Sequence, residues 1–431
     1  MTVLCVLFSE ATAGATDEPE DVPVHGREED RQLPGEPGRD FADALLWPVR
    51  EGFSYFIRAQ AAVARFVHDR QLVPRARRRL SGGTDADVFV FPTLFAETDR
   101  TLNVGARMVV RADPWGSSAR VGFGGPKDVV TEGIVQVTPS FGDVGIALSV
   151  EGFAEAATDR RFLGVGQRPE DDPRNRRRSA TVVALYDERR TRVLVAGGVR
   201  PHRWFQALVS TSLVQRYIQP PDEVDRGIDA VFQPGTVTTL ERDTWVSYTE
   251  LAVRVDTRPV VGAPRPGVMA EGYGGAATET QGQPVGLVRA GGRLGAFIPV
   301  YRATNLISPR LVVDTVTSTG PDVPFTELVR QPAYRGNDNR RDDVSVVASL
   351  DYIWQFASVA SARVFVDAAV VGDGFDALPL AQTRVAGGAG LDLFTDNVDI
   401  GRFWIAGSGD GLHLHLSIGN PSRFGDRQRR D

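Results

Sequence analysis

The sequence predicts an all-β protein, a transmembrane antiparallel β-barrel of about 16 strands preceded by a short N-terminal helical segment. Three observations lead to this fold. From residue 84 to residue 424, apolar and polar residues alternate with the period of a β-strand. The predicted strands outnumber those that an open sheet usually carries. Short turns alternate with long polar loops, as they do in outer-membrane barrels.

Composition limits the alternatives. The 431 residues are 42% hydrophobic, yet we find no apolar run of about 18 residues, so a membrane-spanning helix is not expected. A membrane-spanning β-strand needs only ~9–11 residues, so this composition remains compatible with a membrane β-barrel. The formal net charge of -6 argues against nucleic-acid binding. Lys127 is the one lysine. Arginine suits paired contacts with carboxylates in a confined interior, and a GC-rich genome explains the bias equally well.

The N-terminal region is predicted to have three parts. Residues 1–15 resemble the end of a secretory signal peptide, with a short apolar run around Cys5 followed by small residues; a frayed terminus is the alternative. Residues 16–40 are rich in Asp, Glu, Pro and Gly and predict a disordered linker. Residues 41–80 carry apolar residues at helical spacing and predict a periplasmic amphipathic segment, on the membrane face or across the barrel mouth. An ordinary helix packed on the following domain is the alternative.

Strand periodicity starts after the glycines that follow residue 81 and continues to the C-terminus. A soluble sandwich with its apolar face inward and a membrane barrel with its apolar face outward both give this pattern. The count favours the barrel: we predict one strand more than an even sixteen, with separate strands at residues 179–188 and 191–199. One merged or broken strand is expected, within residues 118–139 or 191–215. An apolar face of the last strand is formed by Leu412, Leu414, Leu416 and Ile418, opposite His413, His415, Ser417 and Gly419.

Loops and tryptophans add two further expectations. Long polar loops are predicted at residues 155–178, 216–242 and 319–341. Tryptophans near strand ends are predicted to form interfacial girdles: Trp115, Trp204, Trp245, Trp354 and Trp404.

One loop stands out by its charge. Residues 325–343, FTELVRQPAYRGNDNRRDD, lie between two alternating runs and need partners for their arginines. Asp351 and Asp367 fall on the polar faces of the two strands that follow, so both are predicted to project into the lumen. A forked arginine could bind both carboxylates there. The alternative is a solvated loop in which Arg335 pairs with Asp338 or Asp342.

Several ordered motifs between residues 86 and 424 resemble the bacterial surface antigen superfamily of outer-membrane barrels, the group that contains BamA and TamA. These are RFLGVG at 161–166, YTELAVRVDTRPVVGAPRPG at 248–267, FTEL and YRG in the charged loop, ASLDY at 348–352, VFVDAA at 364–369 and RVAGGAGLDLFT at 384–395.

The resemblance implies a latch loop that enters the lumen, with Tyr334, Arg335 and Gly336 at its tip and with Asp351 and Asp367 as acceptors of the arginine. Asn337 replaces the aromatic residue of the family motif. Residues 16–80 hold no copy of the periplasmic repeat (POTRA) that the family usually carries. Phe424 fits the family's terminal aromatic position, and residues 425–431 form an added tail.

Enzyme signals are weak. His413 and His415 share a strand face, but no third ligand completes a metal site, and we find neither a nucleophile elbow nor a phosphate loop. We therefore predict no catalytic residue, no cofactor and no metal. The resemblance implies an integral protein of the bacterial outer membrane that contacts its lipids and assembles or translocates proteins. Its partners would be unfolded outer-membrane proteins or periplasmic proteins. A structural or passive barrel without insertase activity is the alternative.

Overall fold

The computed structural model describes residues 87–98, 101–141, 144–178, 183–222, 224–233, 243–258, 264–281, 286–300, 304–320, 323–336, 339–357, 359–394 and 399–418. The predicted signal peptide, linker, helical segment and C-terminal tail lie outside these residues, as do Asn337, Asp338 and Phe424. No helix in the described part is long and apolar enough to cross a membrane.

Seventeen strands are present in the described residues. They are β1 (Asp87–Glu97), β2 (Asn103–Ala112), β3 (Trp115–Gly125), β4 (Asp128–Val137), β5 (Ser140–Phe141), β6 (Val144–Phe162), β7 (Ala184–His202), β8 (Phe205–Gln219), β9 (Asp243–Asp256), β10 (Gly267–Gln281), β11 (Gly286–Pro299), β12 (Asn305–Ser318), β13 (Val344–Ala357), β14 (Ala360–Gly372), β15 (Arg384–Phe394), β16 (Asp399–Ser408) and β17 (Gly411–Ile418). Short helical turns occupy Pro173–Asn175, Val224–Arg226, Leu380–Gln382 and the single-turn helix α1 (Ile228–Val231).

The strands form one closed antiparallel barrel. Each strand pairs with its neighbours in sequence, and β1 pairs with both β2 and β17, which closes the sheet. The two-residue β5 pairs with β6 beyond the end of β4, so the wall contains 16 strands. The predicted all-β barrel of about 16 strands is confirmed. The extra predicted strand came from dividing β7, which continues unbroken through its charged residues Glu188, Arg189 and Arg190.

Alternation along each strand separates an apolar outer surface from a polar interior. Outward positions near the middle of the strands are exposed and apolar, and they include Val121, Leu148, Val195, Leu251, Leu294, Leu350, Val366 and Leu414. Charged side chains fill inward positions, including Arg107, Glu151, Glu271, Asp351 and Asp367. This is the arrangement that a lipid-embedded barrel requires.

The long loops all lie at one end of the barrel. Because successive strands reverse direction, the β6–β7, β8–β9, β12–β13 and β14–β15 connections share the end opposite to the start of β1 and the end of β17. We call this the long-loop end and the other the terminus end. Strands β6 and β8 run to Phe162 and Gln219, so the first two long loops begin later than predicted.

Tryptophan placement corrects one prediction. Trp115, Trp204 and Trp354 are exposed near the terminus end, as an interfacial girdle would be. Trp404 instead faces the lumen and is only 7% exposed. Its ring meets Phe365 edge-on, with 6.3 Å between the centroids, so packing inside the barrel holds it rather than the membrane interface.

The main hydrophobic core lies inside the long-loop end. It joins inward residues of the wall to apolar residues of the loops and of α1: Phe162, Ala184, Tyr186, Ile218, Ile228, Val231, Phe232, Phe325 and Leu328. Phe325 comes from the charged loop, and its ring lies 4.8 Å from that of Phe162. This core holds the charged loop near the mouth of the lumen.

Candidate functional site

Arg335 makes two forked contacts with the barrel wall. Its Nε and Nη2 donate to the two carboxylate oxygens of Asp367 at 2.9 and 2.6 Å. Its Nη1 and Nη2 donate to Asp351 at 3.1 and 2.5 Å, and its backbone N–H donates to Asp367 at 2.9 Å. Arg335 is 7% exposed, and Asp351 and Asp367 are 1% and 0% exposed. Hydrogen bonds from a guanidinium group to carboxylates are charge-assisted and are stronger than those between neutral groups.

Aromatic side chains fix the plane of the arginine. The guanidinium carbon of Arg335 lies 3.5 Å from the centre of the Phe365 ring, a cation–π contact. The Tyr334 ring folds over Gly336, where an added Cβ would lie 2.5 Å from a ring carbon. Only glycine leaves that space, which is a physical reason for the Tyr-Arg-Gly order. Tyr334 also packs on Val347, Ala369 and Ala386 of the wall.

The acceptor carboxylates belong to a wider network. Asp351 also accepts a hydrogen bond from Arg363 at 2.8 Å and lies 3.4 Å from Arg310. Arg363 in turn binds Asp392, which Arg402 of β16 contacts at 2.9 Å. Removing Arg335 would therefore leave Asp351 with other cations nearby, whereas the hydrogen bonds described for Asp367 come from Arg335.

The alternative partners of Arg335 are placed differently. Asp342 accepts two hydrogen bonds from Arg174 of the β6–β7 loop, at 2.9 and 2.8 Å. Burial raises the pKa of the Asp342 carboxyl above its ordinary value, although the Arg174 hydrogen bonds act in the opposite direction. Asp338 lies outside the described residues.

Glu327 anchors the same loop at a second point. Its carboxylate accepts from Arg216 of β8 at 2.5 Å and from Arg289 of β11. Arg216 is also held by Glu188 at 2.9 Å. Burial alone would raise the pKa of Glu327, but the guanidinium groups of Arg216 and Arg289 hold that pKa below its ordinary value. The loop is thus fixed to the wall at β8 and β11 as well as at β13 and β14.

We expect Glu327→Gln to loosen the loop by about 1–3 kcal/mol, because a buried charged hydrogen bond is lost. The measurement is hydrogen exchange of residues 325–331 in the purified barrel. The pKa of Glu327 is lowered in the folded protein. The stabilisation that its carboxylate gives to the loop is therefore complete above the ordinary glutamate pKa of about 4.3, and it is lost as the pH falls through the lower folded value. The difference between wild type and variant should shrink in acid, and equal exchange at neutral pH would contradict the second anchor.

The β6–β7 loop contacts the charged loop of residues 325–343, which is the latch loop, at the long-loop end of the barrel. Gly166 donates its backbone N–H to the carbonyl of Arg341 at 3.0 Å. Gly164, in the RFLGVG motif, has a φ of 104°, and an added Cβ would lie 2.6 Å from the Asn175 amide. The Asn175 side chain accepts from the Val165 N–H at 2.7 Å and closes this turn. The motif is therefore a tight loop shaped to meet the latch loop.

Sequence reasoning missed several residues of this site. Phe365 lies two positions before Asp367 on an otherwise polar face, and that aromatic was a readable signal. Glu327 lies within the FTEL motif. Its partners Arg216 and Arg289 are 111 and 38 positions away in the sequence, so no local pattern links them to it. Among the described residues, no group of three His, Cys, Asp or Glu could hold a metal ion.

The described residues of the last and first strands pair with each other and close the barrel. Four register pairs, from Leu94↔Ile418 to Glu97↔His415, join β1 to β17. We call the β1–β17 junction the seam. The glycines of β15 serve close packing: an added Cβ at Gly388 would lie 2.6 Å from the Phe365 ring, and one at Gly390 would lie 2.9 Å from Trp404.

Comparison with known proteins identifies the fold. No family model matches the sequence, and no curated protein matches it. The crystal structure of BamA from Haemophilus ducreyi lacking POTRA domains 1–3 aligns with a TM-score of 0.51 at 13% identity, over 77% of this chain and 70% of that chain. CdiB from Escherichia coli aligns with a TM-score of 0.42 at 8% identity, over 76% of this chain and 62% of that chain. The BamA likeness confirms the predicted barrel type at the level of the fold.

Proposed function

We propose that the protein is an integral barrel of the outer membrane that takes part in assembling or translocating other proteins there. The observation that carries the proposal is a closed 16-strand barrel with a BamA-like fold, in which the last strand, β17, pairs with the first strand, β1. The latch loop, held by Arg335, Asp351 and Asp367, supports it through the motif resemblance.

The outer surface favours lipid as one partner. Exposed apolar side chains surround the wall, and exposed tryptophans lie near the terminus end. Each strand of about ten residues is long enough to cross the hydrocarbon layer. We therefore propose outer-membrane lipids as the environment of the barrel.

The seam supplies a route for a protein partner. If β17 separates from β1, each strand presents unpaired backbone N–H and C=O groups, to which an extended client strand can add. This junction is where the first and last strands of the chain meet, so opening it separates the barrel at the ends of the sheet. The proposed clients are unfolded outer-membrane proteins, and periplasmic proteins are proposed as helpers.

A passive or structural barrel is the second candidate, and the many ion pairs inside the lumen favour it as a rigid wall. Depletion of the protein separates the two. The assembly proposal expects other outer-membrane barrels to fall in abundance, measured in purified outer membranes, and to recover when the wild-type gene is restored. Unchanged levels of those barrels would contradict the assembly role and leave the passive barrel.

A further inference from the structure

Two arginines of the latch loop lie next to each other where the loop pairs with itself. The Val329 N–H donates to the Asp342 carbonyl at 2.9 Å, and the Asp342 N–H donates back to the Val329 carbonyl at 3.2 Å. The next residues on the two sides of this antiparallel bridge are Arg330 and Arg341. Like charges directly opposite each other are destabilising. This part of the loop therefore needs a counter-charge.

Arg341 is buried without a carboxylate partner among the described residues. It is 2% exposed, and its Nη1 donates to the backbone carbonyl of Phe325 at 3.1 Å. Its guanidinium carbon lies 5.1 and 5.6 Å from the ring centres of Phe162 and Phe325. Its Nε is buried and has no hydrogen-bond partner. A buried charge is costly unless an opposite charge pairs with it.

Arg330 adds a second charge at the same place. It is partly buried, and in the described part of the chain no hydrogen bond or ion pair engages its guanidinium. Burial and the neighbouring Arg341 guanidinium lower the pKa of Arg330 to about 10, so it stays protonated at neutral pH. Tyr186 of β7 is the neighbour of both arginines, and its ring meets that of Phe325 edge-on at 5.6 Å. Its hydroxyl is a third donor at this place.

The nearest described carboxylates are engaged by other arginines. Glu188 of β7 is held by Arg160 at 3.0 Å and by Arg216 at 2.9 Å. Asp342 accepts two hydrogen bonds from Arg174, at 2.9 and 2.8 Å. These carboxylates therefore do not neutralise the two adjacent guanidinium groups of the latch loop.

We propose that Arg330, Arg341 and Tyr186 form a binding site for a phosphate-type oxyanion. Guanidinium groups match the geometry of phosphate oxygens and form charge-assisted hydrogen bonds with them. A phosphate monoester carries about 1.5 to 2 negative charges at pH 7, which offsets both arginines, whereas a single carboxylate offsets one. Arg330 is the more exposed of the two and contacts the ion, and Arg341 adds its charge from the core side.

The occupant to which we commit is a free phosphate ion. Tyr186 is an inward residue of β7 and belongs to the core inside the long-loop end, so the wall separates the site from membrane lipid. A bound ion ties the base of the latch loop to this core. Neither the assembly role nor the passive role requires the site, so its test stands apart from the depletion experiment.

The experiment titrates inorganic phosphate into the purified full-length barrel in a phosphate-free buffer and a maltoside detergent. The thermal unfolding midpoint and the hydrogen exchange of residues 325–336 are measured against sodium chloride at equal ionic strength. Ligand that binds the folded state raises the midpoint in a saturable way. Phosphate also stabilises proteins by exclusion from their surface, so binding is taken from the difference between wild type and variants.

Arg330→Gln should weaken the apparent affinity for phosphate by about tenfold or more. Tyr186→Phe keeps the ring in the core and should weaken it severalfold. Arg340→Gln is the matched control, because Arg340 belongs to the same loop but lies 3.3 Å from its own carboxylate, Asp410. That variant should keep the wild-type affinity. Without phosphate, Arg330→Gln should raise the midpoint, since an unneutralised charge is removed, and Arg340→Gln should not.

Four results would overturn the site. The first is a wild type with no saturable response to phosphate, including the case in which a response appears only in Asp338→Asn and so makes that loop carboxylate the counter-charge. The second is an equal response in wild type and Arg330→Gln, which would mean an adventitious ion only. The third is loss of the response in Arg340→Gln. The fourth is a response to phosphatidylglycerol micelles but not to inorganic phosphate, which would assign the charge pair to a lipid headgroup.

Discussion

Replacing Arg335 with alanine is expected to destabilise the folded barrel by about 3–5 kcal/mol and to free the latch loop. The substitution leaves Asp367 fully buried without the hydrogen bonds that Arg335 provides, and it removes the cation from the face of Phe365. Equilibrium unfolding in detergent measures the energy. Limited proteolysis within residues 325–336 measures the release of the loop.

Two variants provide controls for this result. Arg402→Ala removes another lumen arginine that contacts a carboxylate, but its side chain is 40% exposed and outside the loop, so a smaller effect is expected. Arg335→Lys keeps the charge but loses the fork that contacts both carboxylates, so it should recover only part of the stability. If the Arg335→Ala variant and the wild type have the same free energy of unfolding and the same resistance to protease, the loop is not held by Arg335.

Gly388→Val is expected to cost about 3 kcal/mol or more and to lower the yield of folded barrel. Its Cβ would lie 2.1 Å from the backbone carbonyl oxygen of Ile405 and 2.6 Å from the Phe365 ring. Strands β15 and β16 would have to separate, and the ring under Arg335 would have to move. The folded fraction is measured by gel mobility before and after heating.

Gly407 supplies the control for this substitution. It lies on β16 opposite Gly387, and no atom lies within 4 Å of a Cβ built there. Gly407→Val should change stability by no more than about 0.5 kcal/mol, as surface substitutions usually do. Equal losses for the two valine variants would contradict a specific role of Gly388 in packing against Phe365 and Ile405.

The fold could be predicted from the sequence because one physical rule acts on every strand. A wall with lipid outside and polar groups inside forces apolar and polar residues to alternate, and this pattern continues from β1 to β17. The rule fails where the environment changes within a strand. The charged stretch near the start of β7 resembled a turn, but Glu188 pairs with Arg216 and Arg190 pairs with Glu155 inside the barrel. Trp404 resembled an interface residue because the sequence does not say which side a tryptophan near a strand end will face.

The site was readable only in part, for a related reason. Asp351 and Asp367 were found because each lies on the polar face of its strand, close in sequence to Arg335. The second anchor was not found, because Glu327, Arg216 and Arg289 meet only after strands distant in sequence form the same wall. The His415–Glu97 contact joins the two ends of the barrel, 318 positions apart, and depends entirely on closure.

The most direct test of the latch is a double-mutant cycle between Arg335→Ala and Asp367→Asn, measured as free energy of unfolding. A charge swap is less clean, because an aspartate at position 335 would face Asp351. Direct pairing predicts that each single substitution is costly and that the double variant costs little more than the worse single one, with a coupling of about 0.5–3 kcal/mol. Costs that simply add would contradict a latch in which Arg335 is held by Asp367.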